Sequence, residues 1–220
     1  VHYNSDATRG AAEETAAVVE AAGAKVALLQ ADLTTAAAVE KLFADTVAAL
    51  GGVDIAINTT GMVLKKPFSE ITEDEYDAMF AINAKAAFFF IKEAGRHLSD
   101  NGKLVTLVTS LLGAFTPFYS AYAGAKAPVE HFTRAASKEF GARGISVTAV
   151  GPGPMDTPFF YGQEAADAVA YHKSAASLSS FSKTGLTDIE DIVPLVRFLV
   201  SEGWWITGQT ILANGGYTTK

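Results

Sequence analysis

What most restricts this chain is an alternation of short, almost unbroken apolar runs with longer stretches of helical spacing. The runs are 1–3, 25–30, 53–58, 103–109, 145–150 and 209–213. Apolar at consecutive positions, they leave no solvent face, as strands buried between two layers do. Between them the spacing predicts helices over about 8–22, 35–50, 72–98, 119–143 and 188–201. Gly23 and the Gly51-Gly52 pair punctuate the first two, and Thr72 with Glu75 offers a capping box to the third. Strand and helix taken in turn imply an α/β fold, a doubly wound parallel sheet with helices on both faces.

Composition narrows the function. A length of 220 residues suits a single domain spanning 1–220, and 49% hydrophobic against 19% charged residues argues for a well-buried interior. A net charge of −7 with no basic block points away from nucleic acid and anionic membranes. The absence of cysteine excludes disulfides, thiolate nucleophiles and Cys-type zinc sites, and His2, His97, His131 and His172 are too scattered for a metal motif. With no apolar run near the ~20 residues of a membrane span and no signal peptide, the expected location is cytoplasmic. The chain starts inside a strand-like run, and no glycine-rich turn follows an early strand. Such a turn normally holds a dinucleotide's pyrophosphate. The expectation is therefore an N-terminally incomplete domain, with about 35–40 residues before Val1 and a missing first strand at the sheet centre.

The chemistry centres on Tyr122 and Lys126, four residues apart on a predicted helix and so on one face of it. A nearby ammonium stabilises a phenolate, so the pairing predicts a lowered tyrosine pKa and a phenol able to exchange a proton with a substrate oxygen. A surface lysine beside a half-buried tyrosine would carry the same spacing.

The wider pattern resembles the short-chain dehydrogenase/reductase family, and within it the 3-oxoacyl-acyl-carrier-protein reductase-like ketoreductases. Tyr122-x-x-x-Lys126, Ser110 at a strand end twelve residues upstream, and Asn83 in Phe80–Ala84 match that family's catalytic positions. Asn58-Thr59-Thr60-Gly61 stands where the family has Asn-Asn-Ala-Gly. Gly151–Thr157 matches the Pro-Gly…Thr stretch, and Asn214-Gly215-Gly216 the closing segment. The resemblance implies a Rossmann-type fold and a nicotinamide cofactor held by Asp32, Asn58, Gly61, Tyr122, Lys126, Pro152, Gly153 and Thr157. It also implies a proton relay through Asn83 and a substrate oxygen held by Ser110 and Tyr122. Each position also has a plainer reading: a strand-end serine, a core-bonded amide at Asn83, and helix caps at Asp32 and Thr157.

Cofactor choice is made at the end of the second strand of such a sheet, where a carboxylate favours NAD. Here the residues are His2, Tyr3, Asn4 and Ser5, which favours NADP(H) and leaves NAD(H) as the alternative. Leu111, Leu112, Phe115, Phe118, Met155, Phe159, Phe160 and Tyr161 form the expected substrate pocket, suited to a lipophilic or aromatic carbonyl or alcohol. The two long helices carry wide apolar faces, which the resemblance implies pair between subunits in a four-helix bundle; Trp204, Trp205 and the C-terminal strand suit a second interface, so a homotetramer is expected. The competing classes are a non-catalytic nucleotide-binding scaffold or sensor and a sugar-nucleotide epimerase, which is usually longer.

Overall fold

A computed structural model describes residues 1–114 and 116–218; Phe115, an expected pocket residue, lies outside them. Every strand pairing is parallel, in two separate sheets. β1 (His2–Tyr3) pairs with β2 (Leu29–Gln30), while β3 (Val53–Asn58), β4 (Leu98–Leu107), β5 (Ser146–Pro152) and β6 (Thr210–Ala213) form the second sheet in chain order. Among the described residues β3 pairs only with β4, and on the strand with the free edge Ile55 and Ile57 are 47% and 43% exposed. Exposed β-branched residues on an unpaired edge are what proteins ordinarily cover.

Helices flank both faces. α2 (Ala36–Leu50), α4 (Ala86–His97) and α5 (Ser120–Glu139) bury Val39, Phe43, Phe90, Ile91 and Ala136 against Leu104 and Val147. On the opposite face α8 (Ile189–Leu199) packs Ile192 and Leu199 on Val105 and Val150. Neighbouring strand residues thus serve opposite layers, which is why the runs are apolar throughout. α1 (Asp6–Ala21) starts from a capping box of Ser5 with Thr8. Gly51 ends α2 in the left-handed conformation, which costs a residue without a Cβ nothing.

Three predicted elements differ. Only Leu29–Gln30 of the 25–30 run is strand, in register with His2 and Tyr3 of β1. β4 begins at Leu98 and bulges between Leu98 and Lys103, with Asn101 left-handed in the turn. The helix predicted over 72–98 is interrupted: α3 (Glu73–Phe80) opens on the expected Thr72–Glu75 box, then a π-helical turn at Ala81–Lys85 precedes α4. Asn83 sits in that turn, its Nδ2 donating to the Met79 carbonyl at 3.1 Å. A side chain competing for the i−4 carbonyl widens the helix locally.

Candidate active site

The π turn aims Asn83 at the loop following β3. Fully buried, its amide donates to the Met62 carbonyl (2.9 Å) and its Oδ1 accepts from the Met62 N–H (3.2 Å). Lys126, 4% exposed on α5, donates from Nζ to the carbonyls of Thr60 and Leu107, both at 3.1 Å. Gly61 lies between these two side chains. A Cβ there would stand 2.9 Å from Asn83 Oδ1 and 2.9 Å from Lys126 Nζ, so only glycine lets the amide and the ammonium approach together. In the same loop the Thr60 N–H donates to Asn58 Oδ1 at 2.9 Å.

Tyr122 lies one turn from Lys126, buried with Met79, Ala121 and Ala125. Its pKa is not lowered as expected. Burial raises it, and the Thr109 hydroxyl beside the phenol only partly offsets that. The reason is that the Lys126 ammonium is turned onto two backbone carbonyls. Burial also weakens that cation, bringing its pKa down to about 8. At neutral pH the pair is therefore a protonated phenol next to a protonated but poorly solvated amine.

Thr109 was not anticipated. It caps the 3₁₀ turn Ser110–Gly113 through Leu111 N–H (3.2 Å) and is the hydroxyl acting on Tyr122. Ser110 is buried at the start of that turn, its carbonyl accepting from Thr218 Oγ1 at 3.3 Å. Adjacent residues leaving a strand point to opposite sides, so a Thr-Ser pair offers two hydroxyls to two environments. Two hydroxyls at a strand end were the available signal.

The remaining expected cofactor residues gather at the C-terminal ends of the strands, where such sheets bind ligands. His2 and Tyr3 form β1, and Ser5 caps α1. His2 Nε2 bonds the Ala31 carbonyl at 2.8 Å. Asp32 is exposed after β2, accepting from the Thr34 N–H at 3.0 Å; Thr35, not Asp32, caps α2. Pro152 closes β5, and Gly153 is packed so closely that a Cβ would sit 2.7 Å from Thr187 Oγ1, in the segment before α8, and 3.2 Å from Asn214, just after β6. Thr157 takes the N-cap position of α6 (Pro158–Tyr161) without a side-chain capping bond.

The pocket residues divide. The Phe159 ring centroid is 6.4 Å from that of Tyr122, and Leu111 packs on the Tyr122 cluster. Leu111 and Phe118 also line a cleft of about 370 Å³ with Phe68, Pro117 and Ser120, flanking the first turn of α5. Phe160 packs edge-on against His172, and Tyr161 donates to Asp156. Leu112 and Met155 were expected in the pocket but pack against the core beside Val129 and Ile192.

The profile of the family described as enoyl-(acyl carrier protein) reductase matches residues 2–218. A hydroxynaphthalene reductase-like protein of Metarhizium brunneum is 32% identical over 235 residues, covering 100% of this chain and 85% of that one. The chain belongs to the short-chain dehydrogenase/reductase family. Among solved family structures, a dehydrogenase from Burkholderia cenocepacia with bound NADP is 78% identical. It superposes with a TM-score of 0.98 over 100% of this chain and 83% of its own. An angucycline C-6 ketoreductase with bound NADP is 27% identical, with a TM-score of 0.87 over 99% of this chain and 84% of its own. Among the described residues of this family member, no helix is long and apolar enough to cross a membrane.

Proposed function

We propose that this protein reduces a carbonyl, or oxidises the corresponding secondary alcohol, with NADP(H), and that Tyr122 is the group exchanging the proton. The observation that carries the reading is the approach of buried Lys126 and Asn83 to each other across Gly61, with buried Tyr122 one helical turn from Lys126. When bound, the cofactor supplies or accepts the hydride. Tyr122, kept protonated by burial, is in the form that gives a proton to the nascent alkoxide. Lys126 would stabilise the phenolate left behind by turning its ammonium from the Thr60 and Leu107 carbonyls toward Tyr122, and a hydroxyl from Ser110 or Thr109 fixes the carbonyl oxygen. Asn83 holds the Met62 backbone and so the loop carrying Gly61.

The residues fit a phosphorylated dinucleotide. No carboxylate lies in His2–Ser5, and a helix N-terminus follows at Ser5. The NADP bound by the 78%-identical Burkholderia protein supports the same choice. Aromatic walls at Phe118 and Phe159 favour an aryl or polycyclic ketone, the class suggested by the names of the angucycline and hydroxynaphthalene relatives. The test is a panel of bicyclic aryl ketones followed by cofactor oxidation. NADPH should exceed NADH in kcat/KM by at least about tenfold; no turnover with any ketone would end the reading.

The groove between α4 and α5, lined by Phe80, Phe88, Phe89, Pro128 and Phe132, supports pairing with a second copy. Trp204 and Trp205, 54% and 81% exposed, offer a second contact and hence a tetramer. A monomer mass in light scattering would refute this assembly.

A further inference from the structure

A second buried polar cluster stands apart from Asn83, Tyr122 and Lys126, and the proposed reaction does not use it. At its centre is Glu164, between α6 and α7 (Ala166–Ala175), with a side chain 1% exposed. Lys65, from the loop after β3, and Tyr119, which caps α5, each donate to one carboxylate oxygen. His172 of α7 brings Nε2 to 3.8 Å from the carboxylate, and its Nδ1 shares a 2.8 Å hydrogen bond with the Tyr217 hydroxyl. A carboxylate taken out of water is tolerated only when a counter-charge and hydrogen bonds replace its hydration. Here the counter-charge is Lys65, because burial holds the His172 imidazole below its ordinary pKa.

The position of the cluster gives it a purpose. Tyr119 is one turn before Tyr122, their ring centroids 6.5 Å apart. The segment holding Glu164 also holds Phe159, beside Tyr122, and Phe160, packed on His172. Among the described residues, α6 buries no residue and α7 buries only His172. These helices therefore have little apolar anchorage of their own, and a polar tie must hold them against the site.

We propose that Glu164 is a positioning residue, a pin that seats the 158–175 segment on Lys65 and Tyr119 and thereby closes the pocket wall over Tyr122. The kinetic part rests on the reductase reading; the pin itself does not. Glu164→Gln keeps the shape and removes the charge. In the full-length protein it should raise KM for the ketone at least about tenfold, change kcat less than about threefold and leave NADPH affinity unaltered. Tryptic cleavage at Lys173 or Lys183 should accelerate by about the same factor as KM. Lys65→Met/Glu164→Gln, which leaves no unpaired charge, should be no worse than Glu164→Gln alone, whereas independent residues would multiply their effects. Unchanged KM with unchanged cleavage, or multiplicative effects in the double variant, would overturn the pin. If the wild type turns over no ketone, the reductase reading fails and the cleavage rates of the same variants still decide the pin. If Glu164→Gln does not fold, the double variant, with its neutral socket, carries the measurement.

Discussion

Tyr122→Phe should lower carbonyl reduction by about a thousandfold or more while NADPH binding stays within about threefold. The phenylalanine ring keeps the contacts of the tyrosine ring with Tyr119 and Phe159, and it fills the same space beside Met79 and Ala125. Only the hydroxyl is lost, together with its interaction with Thr109. Losing one such hydrogen bond costs about 1 kcal/mol, so the variant should fold and load cofactor. The alkoxide formed by hydride addition then has no proton donor at its oxygen. Steady-state rates with the best ketone, set beside an NADPH fluorescence titration, separate the two quantities. Residual activity within tenfold of the parent would remove Tyr122 from the proton path.

How far the sequence leads depends on whether a contact is local. β3 has the bounds expected from its apolar run, because a buried strand flanked by Gly51-Gly52 and a polar loop is specified by neighbours in the chain. The Thr72–Glu75 box is equally local, three residues across. The break at Asn83 is not, since periodicity through Ala86 and Ile91 is satisfied by a continuous helix. What diverts it is the Asn83 amide, which bonds the Met79 carbonyl one turn back and is held there by the Met62 backbone, twenty-one residues away. The tyrosine–lysine pair was legible by spacing, but not its electrostatics: where the ammonium points depends on Thr60 and Leu107, sixty-six and nineteen residues distant. Glu164 carries no signal in the sequence at all. Its partners Lys65 and Tyr119 lie ninety-nine and forty-five residues upstream, and only the fold brings them to one carboxylate.

Lys126→Met should abolish turnover and at the same time remove a pH dependence of stability. In the folded protein burial brings the Lys126 pKa from 10.5 to about 8. Below pH 8 the amine is charged in both the folded and unfolded states, and the cost of burying the charge is fully present. Between about 8 and 10.5 the unfolded chain still binds a proton that the folded one has released, so stability rises with pH across that window. The full rise is roughly 3 kcal/mol. Methionine has no such proton, so the wild-type curve should gain on the variant between pH 8 and 10. Below pH 8 the sign of the difference is set by two opposing terms. The variant escapes the buried charge, but it leaves the Thr60 and Leu107 carbonyls without their donor. Urea unfolding of both proteins at pH 7 and pH 10 measures the difference directly. A wild-type stability that runs parallel to the variant's would mean that Lys126 keeps an ordinary pKa. Its charge would then be solvated rather than held in reserve beneath Tyr122.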